Sequence, residues 1–152
     1  MTLLDKLDYA KNLPPGHYGI REAEEAVKRE YAKVRDVERS LYRKIRDYEI
    51  TSLQDAADFC GALCYRLGSK PIRRVVSNSR SIWNYRVGGH YNSQKREIHL
   101  PGRYFCVSIL IHETTHHIMY VEGYKGPAHG EQYIEILRML YEIAEAVLRE
   151  GR

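Results

Sequence analysis

Ile109-Leu110-Ile111-His112-Glu113-Thr114-Thr115-His116-His117 is the stretch from which the rest of the chain is read. Around it, Val107, Leu110, Ile111, Thr114 and Ile118 recur at three- and four-residue steps, the spacing of a helix with one core-facing stripe. The other side carries HExxH. Residues four apart on a helix lie one above the other, so His112 and His116 aim two imidazoles at one point. Glu113 sits about 100° round the helix, beside that point, where a carboxylate is placed to take a proton from a water on a metal. One helix therefore packs with one side and offers metal ligands with the other.

Catalytic zinc sites use three protein ligands and leave a fourth position open. A third candidate follows in Gly126-Pro127-Ala128-His129-Gly130-Glu131-Gln132-Tyr133, at His129. Imidazole ligands favour zinc, one ion per chain, although nickel, cobalt and iron accept the same ligand type. His117 lies about 100° from His116 and so points away from the metal, which gives it a role behind the ligands or at the surface.

The 152 residues suffice for one domain with a real core and are too few for two. With 43% hydrophobic and 29% charged residues, the composition is that of a globular protein. No apolar run reaches the length of a membrane span. Residues 1–8 carry acids and do not read as a secretory signal. Three cysteines, Cys60, Cys64 and Cys106, an odd number without an export signal, imply reduced thiols and a cytoplasmic location. The net charge of +4 permits contact with nucleic acid without arguing for it.

Leu13-Pro14-Pro15-Gly16 sets off residues 1–20 as an arm, leaving 21–152 as a single domain. From Arg21 to about Tyr48, Val27, Tyr31, Val34, Val37, Leu41 and Ile45 step helically, and the charges between them read as a solvated face. Thr51-Ser52-Leu53-Gln54 has capping-box spacing and opens a second helix, which Gly68 and Pro71 stop. Cys60 and Cys64, four apart on it, read as small core residues rather than ligands. Ile72–Val76 and Ile82–Val87 read as strands around a turn at Ser77-Asn78-Ser79. His90-Tyr91 and Glu97–Leu100 flank Asn92-Ser93-Gln94-Lys95 as a hairpin. Gly130 to about Glu150 is amphipathic, with Tyr133, Ile136, Leu137, Leu140, Ile143, Ala144 and Val147 on its buried stripe. The fold class is α+β: two helices, a small, mainly antiparallel sheet of three or four strands, the HExxH helix and a closing C-terminal helix.

The order strand, hairpin, HExxH helix, loop and third histidine resembles the zincin-like metallopeptidases, and within them the SprT-like proteases, where HExxH is followed by an HGxx(F/Y) element. Here that element is His129-Gly130-Glu131-Gln132-Tyr133. A narrower likeness is to a set of metallohydrolases of actinobacteria and their phages that carry a segment similar to Arg35-Asp36-Val37-Glu38-Arg39-Ser40-Leu41-Tyr42. The resemblance implies a zinc-dependent peptidase of the cytoplasm, with His112, His116 and His129 as ligands and Glu113 as general base. It also implies that the strand Glu97-Ile98-His99-Leu100 borders the cleft and pairs with an extended protein or peptide substrate, so that main-chain bonds hold many sequences. Glu131 and Glu135 rival His129, since zincins often draw a carboxylate ligand from a following helix, and Glu131 alternatively orients His129. Tyr133, Tyr124, Tyr120 and Tyr91 are candidates for holding an oxyanion. The larger SprT-like proteins carry a zinc ribbon and a DNA-binding tail that these residues do not contain, which weakens a link to DNA.

Three functions share this ligand set. The first is a monomeric peptidase. The second is a peptidase acting on DNA-associated proteins, with Arg73, Arg74, Arg80, Arg86, Lys95 and Arg96 as a basic rim. The third is a metal-stabilised binding or regulatory module without turnover, in which Glu113 is dispensable.

Overall fold

The computed structural model describes residues 18–45, 48, 50, 52–78, 89–101, 106–126 and 128–150, with side chains in the first helix from residue 28 onward. Helix α1 spans Tyr18–Tyr42, α2 Leu53–Leu67, α3 Val107–Val121 and α4 Glu131–Glu150; the strands are β1 Arg74–Asn78, β2 His90–Asn92 and β3 Glu97–Pro101. No helix among the described residues is long and apolar enough to cross a membrane.

Helix α1 begins at Tyr18, inside the stretch read as an arm, and ends at Tyr42, short of the expected Tyr48. There is no glycine or proline between Tyr42 and Tyr48 to signal that stop. It is made by tight backbone bonds, Lys44 N–H to Leu41 C=O and Ile45 N–H to Tyr42 C=O, which fold the chain back and bury Ile45. Helix α2 is capped by Ser52 rather than Thr51: its side chain accepts the Asp55 N–H at 3.1 Å. Its C-terminus closes on Gly68 at φ 73°, with the Ser69 N–H returning to the Cys64 carbonyl at 2.9 Å.

The sheet has the order β1-β3-β2. The pair β2–β3 is the expected antiparallel hairpin, registered His90 to His99, Tyr91 to Ile98 and Asn92 to Glu97. Its turn is held by the Asn92 side chain, which accepts the Lys95 N–H at 3.1 Å, and Arg96 takes φ 52° to re-enter the strand. The other pair, β1–β3, is parallel over five residues, from Arg74 opposite Glu97 to Asn78 opposite Pro101. The described sheet is therefore mixed and not mainly antiparallel. Ser77 and Asn78 continue β1 instead of turning, because β3 supplies a partner for both. The strand expected at Ile82–Val87 lies outside the described residues.

Packing follows the apolar stripes. Val107, Leu110, Ile111, Thr114 and Ile118 of α3 are all buried, and Leu137, Leu140 and Ala144 of α4 meet them together with Ala56, Cys60 and Leu63 of α2. Ile98 and Leu100 of β3 bring the sheet into the same core. Gly89, at φ 118°, enters β2 where a Cβ would stand 3.0 Å from both the His99 carbonyl oxygen and Ile109 Cγ2. Only glycine fits there, and that close approach sets the hairpin against the first turn of α3.

All three cysteines are free; Cys60 and Cys64 are buried and Cys106 is partly so. Burial pushes the Cys60 thiol up to about 12 and that of Cys64 up to about 11. Both therefore stay protonated and unreactive near neutrality. Alkylation of native protein at pH 8, read by mass spectrometry, is expected to label Cys106 first and Cys60 only at the rate of global unfolding. Labelling of Cys60 as fast as a free thiol contradicts this packing.

Candidate metal centre

His112 and His116 project from α3 into a cavity of about 590 Å³, and His129 enters it from the loop before α4. The three imidazoles offer nitrogens that all lie within 4.8 Å of one another. His112 Nε2 and His129 Nε2 are 3.4 Å apart. A tetrahedral ion with nitrogen bonds of ~2.05 Å spaces its ligands about 3.3 Å apart, so this pair already has the separation a metal requires. The three histidines are close enough to bind one metal ion. Glu131 and Glu135, the rival ligands, are exposed and take no part in the cluster.

The site is fixed from behind by contacts that the sequence did not disclose. Glu38 of α1 meets His112 Nδ1 at 2.5 Å, which leaves Nε2 of the same ring for a metal. Glu30, two turns earlier on α1, accepts the backbone N–H of His129 at 2.6 Å. Between them Tyr31 packs its ring 4.4 Å from that of His129, and Val34 is buried. Residues 30, 34 and 38 are four apart, so one face of α1 lies along the site rather than in solvent. The expected solvated face accounts for the remaining charges of α1, but not for these two carboxylates. Glu38 belongs to the segment Arg35–Tyr42 that marked the narrower resemblance, and this was the one signal in the sequence that pointed to it.

Tyr133, the last residue of the His129-Gly130 element, is fully buried beneath the histidines and donates its hydroxyl to the His112 carbonyl at 2.9 Å. It braces α3 and does not line the cavity, so its hydroxyl is not available to an oxyanion there. Tyr124 is exposed and also stands outside the cavity lining, as does Glu131. The tyrosines that do line it are Tyr31, Tyr91 and Tyr120. His117 is fully buried on the side of α3 away from the cavity, 2.7 Å from both the Tyr91 hydroxyl and the Lys70 carbonyl. It points away from the metal position, and its place is in the core rather than at the surface.

The strand beside the cavity is β2, which contributes His90 and Tyr91, with Gly89 just before it and Ser93 from the turn. Strand β3 is the centre of the sheet. Glu97, Ile98 and His99 each have a partner on both sides, so no free edge remains there for a peptide to join. The strand Glu97–Leu100, expected to border the cleft, thus lies at the centre of the described sheet, and the outer side of β2 carries no strand among the described residues. The order of the strands, invisible in their sequences, decides this. His99 instead stacks on His90, with ring centroids 4.7 Å apart. Of the basic residues proposed as a rim, Arg73, Arg74 and Lys95 are exposed and Arg96 is half-buried, whereas Arg80 and Arg86 lie outside the described residues.

Burial governs the charges. It pushes the Glu113 carboxyl up to about 7, with Glu38 adding to the rise, while His112 and a backbone hydrogen bond from Tyr91 oppose it. Burial, together with the neighbouring His112 and His129, holds His116 well below the usual histidine range; burial and His112 bring His129 down to about 4. Burial also acts downward on His112, but the hydrogen bond and charge of Glu38, with Glu113, outweigh it and leave this ring raised. Two of the three imidazoles are therefore held neutral, the form that binds a metal.

Comparison of the chain with family models, with curated proteins and with solved structures finds no match.

The contact of Glu38 with His112 leads to an expected outcome. Glu38→Ala should weaken metal binding, read with zinc as the probe ion, by about 10- to 100-fold, the usual effect of removing a carboxylate that orients a histidine ligand. Competition against a chromogenic chelator measures it, and unchanged affinity shows that Glu38 does not orient the ligand.

Proposed function

We propose that the chain is a zinc-dependent metallopeptidase in which His112, His116 and His129 hold one zinc ion and Glu113 is the general base. The observation that carries this reading is the position of Glu113: a buried carboxylate on the ligand helix, facing the same cavity as the three imidazoles and itself outside the ligand set. A structural carboxylate gains nothing from that burial, which disfavours its charge. A general base gains a proton affinity matched to neutral pH. The likeness of His112-Glu113-Thr114-Thr115-His116 and of His129-Gly130 to the SprT-like proteases supports the same assignment.

A zinc ion at this site supplies a Lewis acid that acidifies a water and polarises the carbonyl of a peptide bond. The protein's own groups do the rest. Glu113 accepts a proton from the attacking water and returns it to the departing amine, so that one carboxyl serves both halves of the hydrolysis. Glu38 keeps His112 turned with Nε2 toward the cavity. Of the tyrosines lining the cavity, Tyr31 comes from α1 and is raised above the usual range by burial and by Glu30 and Glu113, so it remains a hydroxyl donor at neutral pH. The edge of β2 provides main-chain groups for an extended peptide, which suits a substrate class defined by backbone rather than by sequence. The three reduced thiols fit the cytoplasmic setting proposed for it.

Glu113→Gln keeps the volume and removes the base. Zinc content and Tm are expected to stay near wild type while hydrolysis of an unfolded protein such as casein falls by roughly a hundredfold or more. Equal turnover by the variant and wild type rules the mechanism out. Stoichiometric zinc with no hydrolysis by wild type favours the binding module without turnover.

A further inference from the structure

Helix α1 touches the histidine cluster more than it touches the core. Among its described side chains only Val34 is buried, while Val37, Leu41 and Tyr42 pack against the core with part of their surface exposed. Helices α2, α3 and α4 bury five, nine and seven residues, so over the described residues the apolar hold on α1 is the lightest of the four. Its polar contacts converge on the ligands. Glu38 meets His112 Nδ1 at 2.5 Å, and Glu30 accepts the His129 backbone N–H at 2.6 Å. The Tyr31 ring lies 4.4 Å from that of His129 and forms part of the cavity wall. Residues 30, 34 and 38 share one helix face, so these contacts flank Val34 on both sides.

This arrangement ties α1 to the ion. His112 is carried by α3, but His129 stands between α3 and α4, outside any helix or strand. Lifting α1 removes the partner of His112 Nδ1 and the partner of the His129 N–H in one movement, and takes Tyr31 out of the wall. Two of the three ligands then lose their orientation together. An ion bound by His112 and His129 acts in the opposite sense, fixing the groups on which Glu38 and Glu30 are seated. Such coupling is reciprocal: what metal occupancy adds to the docking of α1, docking adds to metal affinity. An element with few buried apolar contacts is also one that opens locally, without unfolding of the rest.

We propose that α1 is a clasp on the metal centre: the ion is held while α1 is docked and leaves when α1 lifts away. Metal release is then set by the opening of this helix rather than by unfolding of the core. The inference rests on the reading of the three histidines as the ligand set and is independent of whether the chain hydrolyses peptides. It makes metal retention adjustable through a helix that carries none of the ligands.

Val34→Ala loosens α1 without altering any group at the site. Two rates are read in the zinc-loaded protein: loss of zinc to excess chelator, and amide hydrogen exchange along α1. Each methylene-sized group removed from a buried position is worth about a fourfold change, so both rates are expected to rise roughly tenfold. Leu63→Val, a core change on α2, should lower Tm without speeding zinc release. Glu30→Ala cuts the bond to His129 from the other direction and should also speed exchange along α1. In wild type without zinc, the α1 amides should exchange ahead of those in α2 and α4, and zinc should slow them. Zinc release as slow in Val34→Ala as in wild type overturns the proposal. So does release accelerated equally by Leu63→Val at the same loss of Tm, which traces the ion to global unfolding. Exchange of α1 in step with α2 and α4 in the zinc-free protein overturns it as well. If wild type takes up no zinc, the metal centre itself falls and the clasp with it, an outcome that titration with zinc shows before any variant is made.

Discussion

Three imidazoles crowded into one buried corner set the terms for everything around them. The ring centroids of His112, His116 and His129 lie between 4.7 and 5.2 Å from one another. Rings packed so closely cannot all be positively charged, and burial together with the neighbouring rings lowers the proton affinity of His116 and His129 accordingly. The cluster is held by bonds to its outer atoms: Glu38 at His112 Nδ1, Tyr133 at the His112 carbonyl and Glu30 at the His129 N–H. Helices α1 and α4 must both close on α3 for those bonds to form. The site is therefore a product of the whole helical layer and not of the ligand helix alone.

Helix α3 pays for this position with almost no solvent-facing surface. Nine of its fifteen residues are buried, including Glu113, Thr114, Thr115 and His117. Each polar group on it needs a partner inside the protein, or its burial costs a few kcal/mol. Thr115 donates to the Ile111 carbonyl at 2.7 Å, and His117 bridges Lys70 and Tyr91. For Glu113 burial outweighs the opposing influence of His112 and of the Tyr91 backbone, and a raised proton affinity is the result. The same burial that makes the helix a core element makes this carboxylate a group able to exchange a proton near neutral pH. Packing and chemistry here are one effect.

The sheet plays a narrower part. Its central strand β3 delivers Ile98 and Leu100 to the core, and β2 is held against α3 by the close approach at Gly89. Because β1 and β2 pair with β3 from opposite sides, the central strand is closed on both sides and the cavity borders on the short outer strand. A sheet of the same strands with β3 at its edge would present the cavity with a longer and stiffer wall. The short wall brings a need for side-chain anchoring, which Tyr91 meets.

The sequence by itself determined what depends on local spacing. HExxH on a helix fixed the relation of His112, Glu113 and His116, since a 3.6-residue turn allows little else. The apolar steps of α3 and α4, the Gly68 stop and the Asn92–Lys95 turn were legible for the same reason: each is set by residues within a few positions of one another. His129 was legible as a candidate because it follows in a short loop. Only the tertiary structure decided what depends on distant pairing. The roles of Glu30 and Glu38, the hydroxyl directions of Tyr133 and Tyr91, the burial of His117 and the parallel pairing of β1 with β3 all join residues separated by about twenty to a hundred positions. A glutamate on a charged helix looks the same in sequence whether it faces water or a histidine, and a strand of alternating residues carries no mark of its neighbour's direction. Those choices are made by packing, where burial and the need to satisfy each polar group select one arrangement from many that local propensity allows.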